Sequence, residues 1–157
     1  MKIIKLLPIV CVLFVSCNTS IRVDCDDSHD CLVKGLECHQ ERDFPMAIAY
    51  YDKTIDFGRS VDQVAALDRK AIIQKMVGNY KGATATWEKA IEAAKKFPNP
   101  SLNTLRLELA CGYFSSGDMG QAVKQFDAVC SSAPDGQKAC EWAQTIREGG
   151  DKANVCN

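Results

Sequence analysis

Cysteine carries the potential chemistry of this chain, with nine cysteines and two histidines among 157 residues. Cys25, His29, Cys31, Cys38 and His39 cluster near the start and offer thiolate and imidazole, the ligand types of zinc. No Cys-x-x-Cys spacing occurs among them, and disulfide bonding competes for the same thiols. Haem attachment of the c type fails, because Gly35 stands where Cys38-His39 would need a first cysteine. Cys38 and His39 cannot serve each other as nucleophile and base, since adjacent helical residues point about 100° apart. The chain has no Ser/His/Asp order, Gly-rich phosphate loop, HExxH or closely paired catalytic carboxylates. The expectation is a protein that is not an enzyme, with no catalytic residue, no metal and no cofactor.

Which fate the thiols meet depends on the compartment, and the first residues speak to that. Lys2 and Lys5 precede the apolar run Leu6 to Val15. The run is too short for a spanning helix, which needs about 20 apolar residues, and it has the form of a cleaved export signal. Phe14-Val15-Ser16-Cys17 resembles a bacterial lipobox, although Phe14 stands where leucine is usual and Leu13 lies one place earlier. The resemblance implies diacylation of Cys17 and a lipid anchor, stable because it carries more than one chain. The alternative is a conventional signal cut near Ser20, with Cys17 lost. On the first reading residues 1–16 are signal peptide and 17–27 a tether, whose ten residues Asn18 to Asp27 reach at most about 35 Å. The protein is then anchored in the bacterial envelope. Asn18 is not the aspartate that retains such proteins at the inner membrane of enteric bacteria, which points to the outer membrane, facing the periplasm, in a diderm.

Export favours disulfides over metal. Without Cys11 and Cys17 seven cysteines remain, an odd number that leaves one unpaired within the chain. Cys130 and Cys140 are the best pair, near the end of one predicted helix and the start of the next. Cys25 with Cys31 is a plausible second staple, and Cys38, Cys111 and Cys156 stay unassigned. The Cys130/Cys140 arrangement resembles the cysteine-stapled Sel1-like repeats of some secreted bacterial proteins, with a spacing two residues longer.

The elements that must position these residues repeat. The sets Gly35–Ala47–Tyr51, Ala71–Ala83–Trp87 and Ala110–Ala122–Phe126 share one spacing, and the alanines 47, 83 and 122 recur at helical-hairpin length. Periodicity and turn signals predict helices over 28–40, 45–57, 62–77, 81–96, 101–116, 120–132 and 137–147. Pro45 falls in a first turn, Ser101 is a predicted N-cap, and breaks fall at Gly78-Asn79, Pro98-Asn99-Pro100, Ser116-Gly117 and Pro134-Asp135-Gly136. The runs Asp43 to Ile55, Asn79 to Ile91 and Gly117 to Val129, with Pro134, are similar to the turn and second helix of tetratricopeptide repeats. Spacings longer than that family's usual one, and Cys31 where a large apolar residue usually opens the first helix, are departures. The resemblance implies an all-α fold, a right-handed superhelical stack of three such hairpins over 28–136. A capping helix over 137–148, with Trp142 and Ile146 on its apolar stripe, and a tail over 149–157 complete it.

In that family the first helices line a groove for an extended peptide or a partner helix. The resemblance places Leu32, Leu36, His39 and Gln40 there from the first unit, Asp68, Ile72, Lys75 and Met76 from the second, and Leu107, Cys111, Phe114 and Ser115 from the third. The Lys/Asn/Arg set with which some members clamp a C-terminal carboxylate is missing, so that activity is not carried over. With 19 basic and 20 acidic residues the chain has no basic field for nucleic acid. The functional expectation is an envelope lipoprotein that binds a protein partner during assembly of an envelope complex. The alternative is a disulfide-rich Sel1-like secreted protein with carbohydrate-binding or hydrolytic activity.

Overall fold

The computed structural model describes residues 21–58, 60–97, 102–132 and 136–156. The signal and lipobox residues, Cys17 included, lie outside them, as do Ser101, Pro98-Asn99-Pro100 and Pro134-Asp135. Among the described residues all regular structure is helical: α1 Ser28–Gln40, α2 Phe44–Phe57, α3 Val61–Met76, α4 Tyr80–Ala94, α5 Leu102–Ser116, α6 Met119–Cys130 and α7 Gln137–Arg147.

One turn, used three times, sets the hairpins. Each first helix ends in a residue of left-handed conformation, Arg42 at φ 62°, Gly78 at 80° and Gly117 at 85°. The next residue donates its amide back to a carbonyl five places earlier: Asp43 to Cys38, Asn79 to Gln74 and Asp118 to Tyr113, at 2.8–2.9 Å. This is the closure that satisfies the last carbonyls of a helix. The same residue then opens the second helix, its side chain accepting from the amide of Met46, Gly82 or Gln121. One short polar side chain thus begins the second helix of each hairpin.

The hairpins α1–α2, α3–α4 and α5–α6 pack internally, and α2 on α3, α4 on α5 and α6 on α7 join them in series. The first helices α1 and α3 also touch, and the hydroxyl of Ser28 at the start of α1 donates to Asp62 at the start of α3. The repeated residues form the core. Ala47, Ala71, Ala83, Ala110 and Ala122, with Tyr51, Trp87 and Phe126, are all at 0% exposure. Gly35 has no room for more: a Cβ there would lie 2.7 Å from the Tyr51 ring. Each aromatic reaches past its own hairpin. The Tyr51 cluster includes Ala66 and Ile73 of α3, that of Trp87 includes Leu105 and Leu109 of α5, and that of Phe126 includes Ala139, Ala143 and Ile146 of α7. Helix α7 therefore covers the last hairpin as a further first helix would.

Disulfides pin the ends. Cys25 is bonded to Cys31 and Cys130 to Cys140, with Cα–Cα distances of 5.2 and 5.0 Å. The third bond, Cys111–Cys156, brings the C-terminal segment back onto α5, and Cys38 is the free thiol among the described residues. The described part of the 17–27 segment is fixed on α1 by the Cys25–Cys31 bond, the Lys34 Nζ bond to the Asp24 carbonyl and the Asp26 amide bond to Asp30. In the C-terminal tail Val155 is buried.

Candidate functional site

The twelve positions expected to form a partner face occupy the same register in each unit, and their environments diverge. Leu32 is 7% exposed and belongs to the Tyr51 core cluster, so it is a core residue and offers no open surface. Cys111, also 7% exposed, is locked in its bond to Cys156 and is equally unavailable. The causes differ: Leu32 packs among residues of α2 and α3, whereas Cys111 is held by a partner 45 residues further along the chain.

His39 and Asp68 are tied to the core aromatics. The Tyr51 hydroxyl lies 3.2 Å from His39 Nδ1, and the indole N–H of Trp87 donates to Asp68 Oδ1 at 2.9 Å. Buried aromatics with a polar tip need a partner for it, and the first helix supplies one in units one and two. Phe126 has no polar tip, and the third unit has apolar Leu107 and Phe114 at the positions of Asp68 and His39. Burial pushes the Tyr51 phenol up to about 12. Burial also raises the Asp68 carboxyl, against the opposing pull of the Trp87 hydrogen bond and the Arg69 charge. His39 is held below the usual imidazole range by burial and then by Arg69.

Between α3 and α5, Lys75 Nζ lies 3.2 Å from Glu108 Oε2 and 5.7 Å from the Trp87 ring centroid. Ile72 and Leu36 are half-buried; Gln40, Met76 and Ser115, at the ends of the first helices, are exposed. Met76 adjoins exposed Val77 and Tyr80 across the α3–α4 turn. Sequence reasoning missed Arg69, which is exposed and acts on His39, Tyr51 and Asp68. It also missed Val77 and Tyr80, for which two apolar residues flanking Gly78-Asn79 were the available signal. The open part of the face therefore runs from Leu36, His39 and Gln40 through Arg69, Ile72, Lys75 and Met76. Two concavities elsewhere, of about 800 and 520 Å³, lie along second helices and use none of the expected face residues.

The thiol groups do not converge on chemistry. Burial pushes the Cys38 thiol up, helped by the carboxylates of Asp43, Glu41 and Glu37, so it is a poor source of nucleophilic thiolate. The Cys25–Cys31 bond removes two of the thiolates that a zinc reading needs, and no group of three His, Cys, Asp or Glu suited to a metal ion occurs among the described residues. No helix among the described residues is long and apolar enough to cross a membrane. No protein-family model and no curated protein matches the chain.

Proposed function

We propose that this chain is a tetratricopeptide-type envelope lipoprotein, anchored through acylated Cys17, that holds a protein partner on its first-helix face. On this reading the three hairpins form a right-handed superhelical stack closed by α7. The partner lies across Leu36, His39, Gln40, Ile72, Lys75 and Met76, and the role is assembly of an envelope complex without catalysis. The observation that carries it is the threefold use of one turn and one small-residue, alanine and aromatic set, with all three aromatics at 0% exposure. Arrays so built create extended concave binding surfaces. The staple at Cys25–Cys31 supports a short anchor: the chain from Cys17 to Val23 spans at most about 25 Å, which keeps the array near the bilayer.

Two experiments test the reading. Metabolic labelling with a radioactive fatty acid should mark the wild type and spare Cys17→Ala; absence of label in both removes the anchor. Capture from envelope extracts should recover one protein that is lost with Met76→Asp and Lys75→Glu and retained with Lys89→Glu on the second helix. Equal capture by all variants, or a glycan hit in a binding screen with no protein captured, moves the reading to the Sel1-like alternative, which the Cys130–Cys140 staple favours.

A further inference from the structure

The third unit's share of the first-helix face differs from the others in composition. At three matching register positions the first unit has Leu32, Leu36 and His39, the second Asp68, Ile72 and Lys75, and the third Leu107, Cys111 and Phe114. Only the third set lacks any group that is charged or titrates near neutrality. Contiguous apolar surface of this kind is a contact site when left open; here Leu107 and Phe114 are half-buried, and Cys111 between them is bonded to Cys156 of the C-terminal segment. Val155 is 4% exposed and shares a cluster with Cys111, Ala139, Ala143 and Ile146, against which Leu107, Phe114, Trp142 and Cys156 also pack.

The cover is thin. After α7 the chain turns at Gly149, φ 67°, and two local hydrogen bonds shape the segment, Ala153 N–H to Asp151 and Val155 N–H to the Lys152 carbonyl. Asp151 to Asn154 are exposed, Val155 is buried, and Cys156 is half-buried and bonded to Cys111. One buried valine offsets little of the conformational freedom lost in ordering six residues, and the covalent bond adds a tether.

We infer that the first-helix face of the third unit is a binding surface occupied by the chain's own segment Asp151–Cys156, and that the Cys111–Cys156 bond controls its occupancy. Opening needs a dithiol reductant. Cys111 is buried and Cys156 half-buried, so the attacking thiolate reaches Cys156 Sγ. The Cys111–Cys156 bond breaks, a mixed disulfide forms at Cys156, and Cys111 leaves as a thiolate that takes up a proton. The reductant's second thiolate then attacks its own sulfur in the mixed disulfide, and Cys156 leaves and is protonated. The reductant ends as a disulfide, and two electrons and two protons have moved to the pair. The Cys130–Cys140 bond still ties α7 to α6, so the segment can leave without the helix that caps the core.

Hydroxyl-radical footprinting of the full mature chain tests this without knowledge of any partner. With Cys156→Ser, oxidation of Phe114 and Leu107 is expected to rise severalfold while that of Phe126, at 0% exposure, stays at the wild-type level. Val155→Asp, with the bond intact, is expected to raise Phe114 oxidation by a smaller factor. Unchanged Phe114 in both variants would mean that the segment does not cover the face, and an equal rise at Phe126 would mean that the bond holds the unit folded. Either result overturns the inference, and neither bears on the anchor or the partner.

Discussion

The second and third units share a backbone plan and treat the same face in opposite ways. In the second, the core aromatic is Trp87, whose N–H is answered by Asp68, and Lys75 stands over its ring beside Glu108. In the third, Phe126 asks for no partner, the face is Leu107, Cys111 and Phe114, and the C-terminal segment is bonded to it through Cys111–Cys156. The difference teaches that a side chain on the first helix of such a unit answers to the aromatic behind it before it answers to a ligand. A polar tip in the core recruits a polar residue to the face; an apolar core leaves an apolar face, which then needs a cover.

The largest test of this comparison removes the anchor of the second unit. Trp87→Ala should cost about 3–5 kcal/mol and leave Asp68 unpaired, measured by urea unfolding. Phe126→Ala should cost a similar amount with no polar residue stranded. If Trp87→Ala proved nearly neutral, the aromatic would not hold the units together. Next is the bond that closes the third unit. Replacing Cys111 and Cys156 together by Ala should lower stability by about 4 kcal/mol in the chain-entropy account. For the shorter loop of Cys130 and Cys140 the figure is about 3 kcal/mol. The reverse order would show that the long loop stays ordered when cut.

A finer test concerns pH. The Asp68 carboxyl titrates higher in the folded chain than in the unfolded one, so the folded state binds the extra proton. Stability is then greatest below the ordinary carboxylate range and falls as pH rises through it to the folded value. Asp68→Asn keeps an acceptor for Trp87 and should remove that fall, so it should gain on the wild type at neutral pH and match it in acid. Thermal melts across that range decide, and a parallel loss in both proteins contradicts the assignment. The smallest effect lies in the turns. Arg42 holds the left-handed position that Gly78 and Gly117 fill elsewhere. Arg42→Gly should therefore stabilise, and Gly78→Ala destabilise, each by about 1 kcal/mol, read from denaturant midpoints.

Much of the helical order was legible because capping and turn residues act locally. Asp43, Asn79 and Asp118 mark each second helix, and glycine marks two of the three turns. Arg42 hid the third, since no residue type announces a left-handed φ in an arginine. The repeated aromatics were legible as core because their spacing keeps them on one face. The partner face was less so. Register gave its positions, but Leu32 was buried by its proximity to the next helix, and Cys111 by a partner 45 residues on. No local pattern reports such a distance. The bond partners of His39 and Asp68 were equally out of reach, because each lies across a hairpin.

The most direct measurement of the central claim is site-specific photo-crosslinking in the cell that makes this protein, with the photoreactive residue at Met76 or at Phe114 of the full chain. The account predicts a single protein adduct from Met76 and, from Phe114, only a link to the chain's own C-terminal segment. A protein adduct from Phe114 with none from Met76 would contradict it.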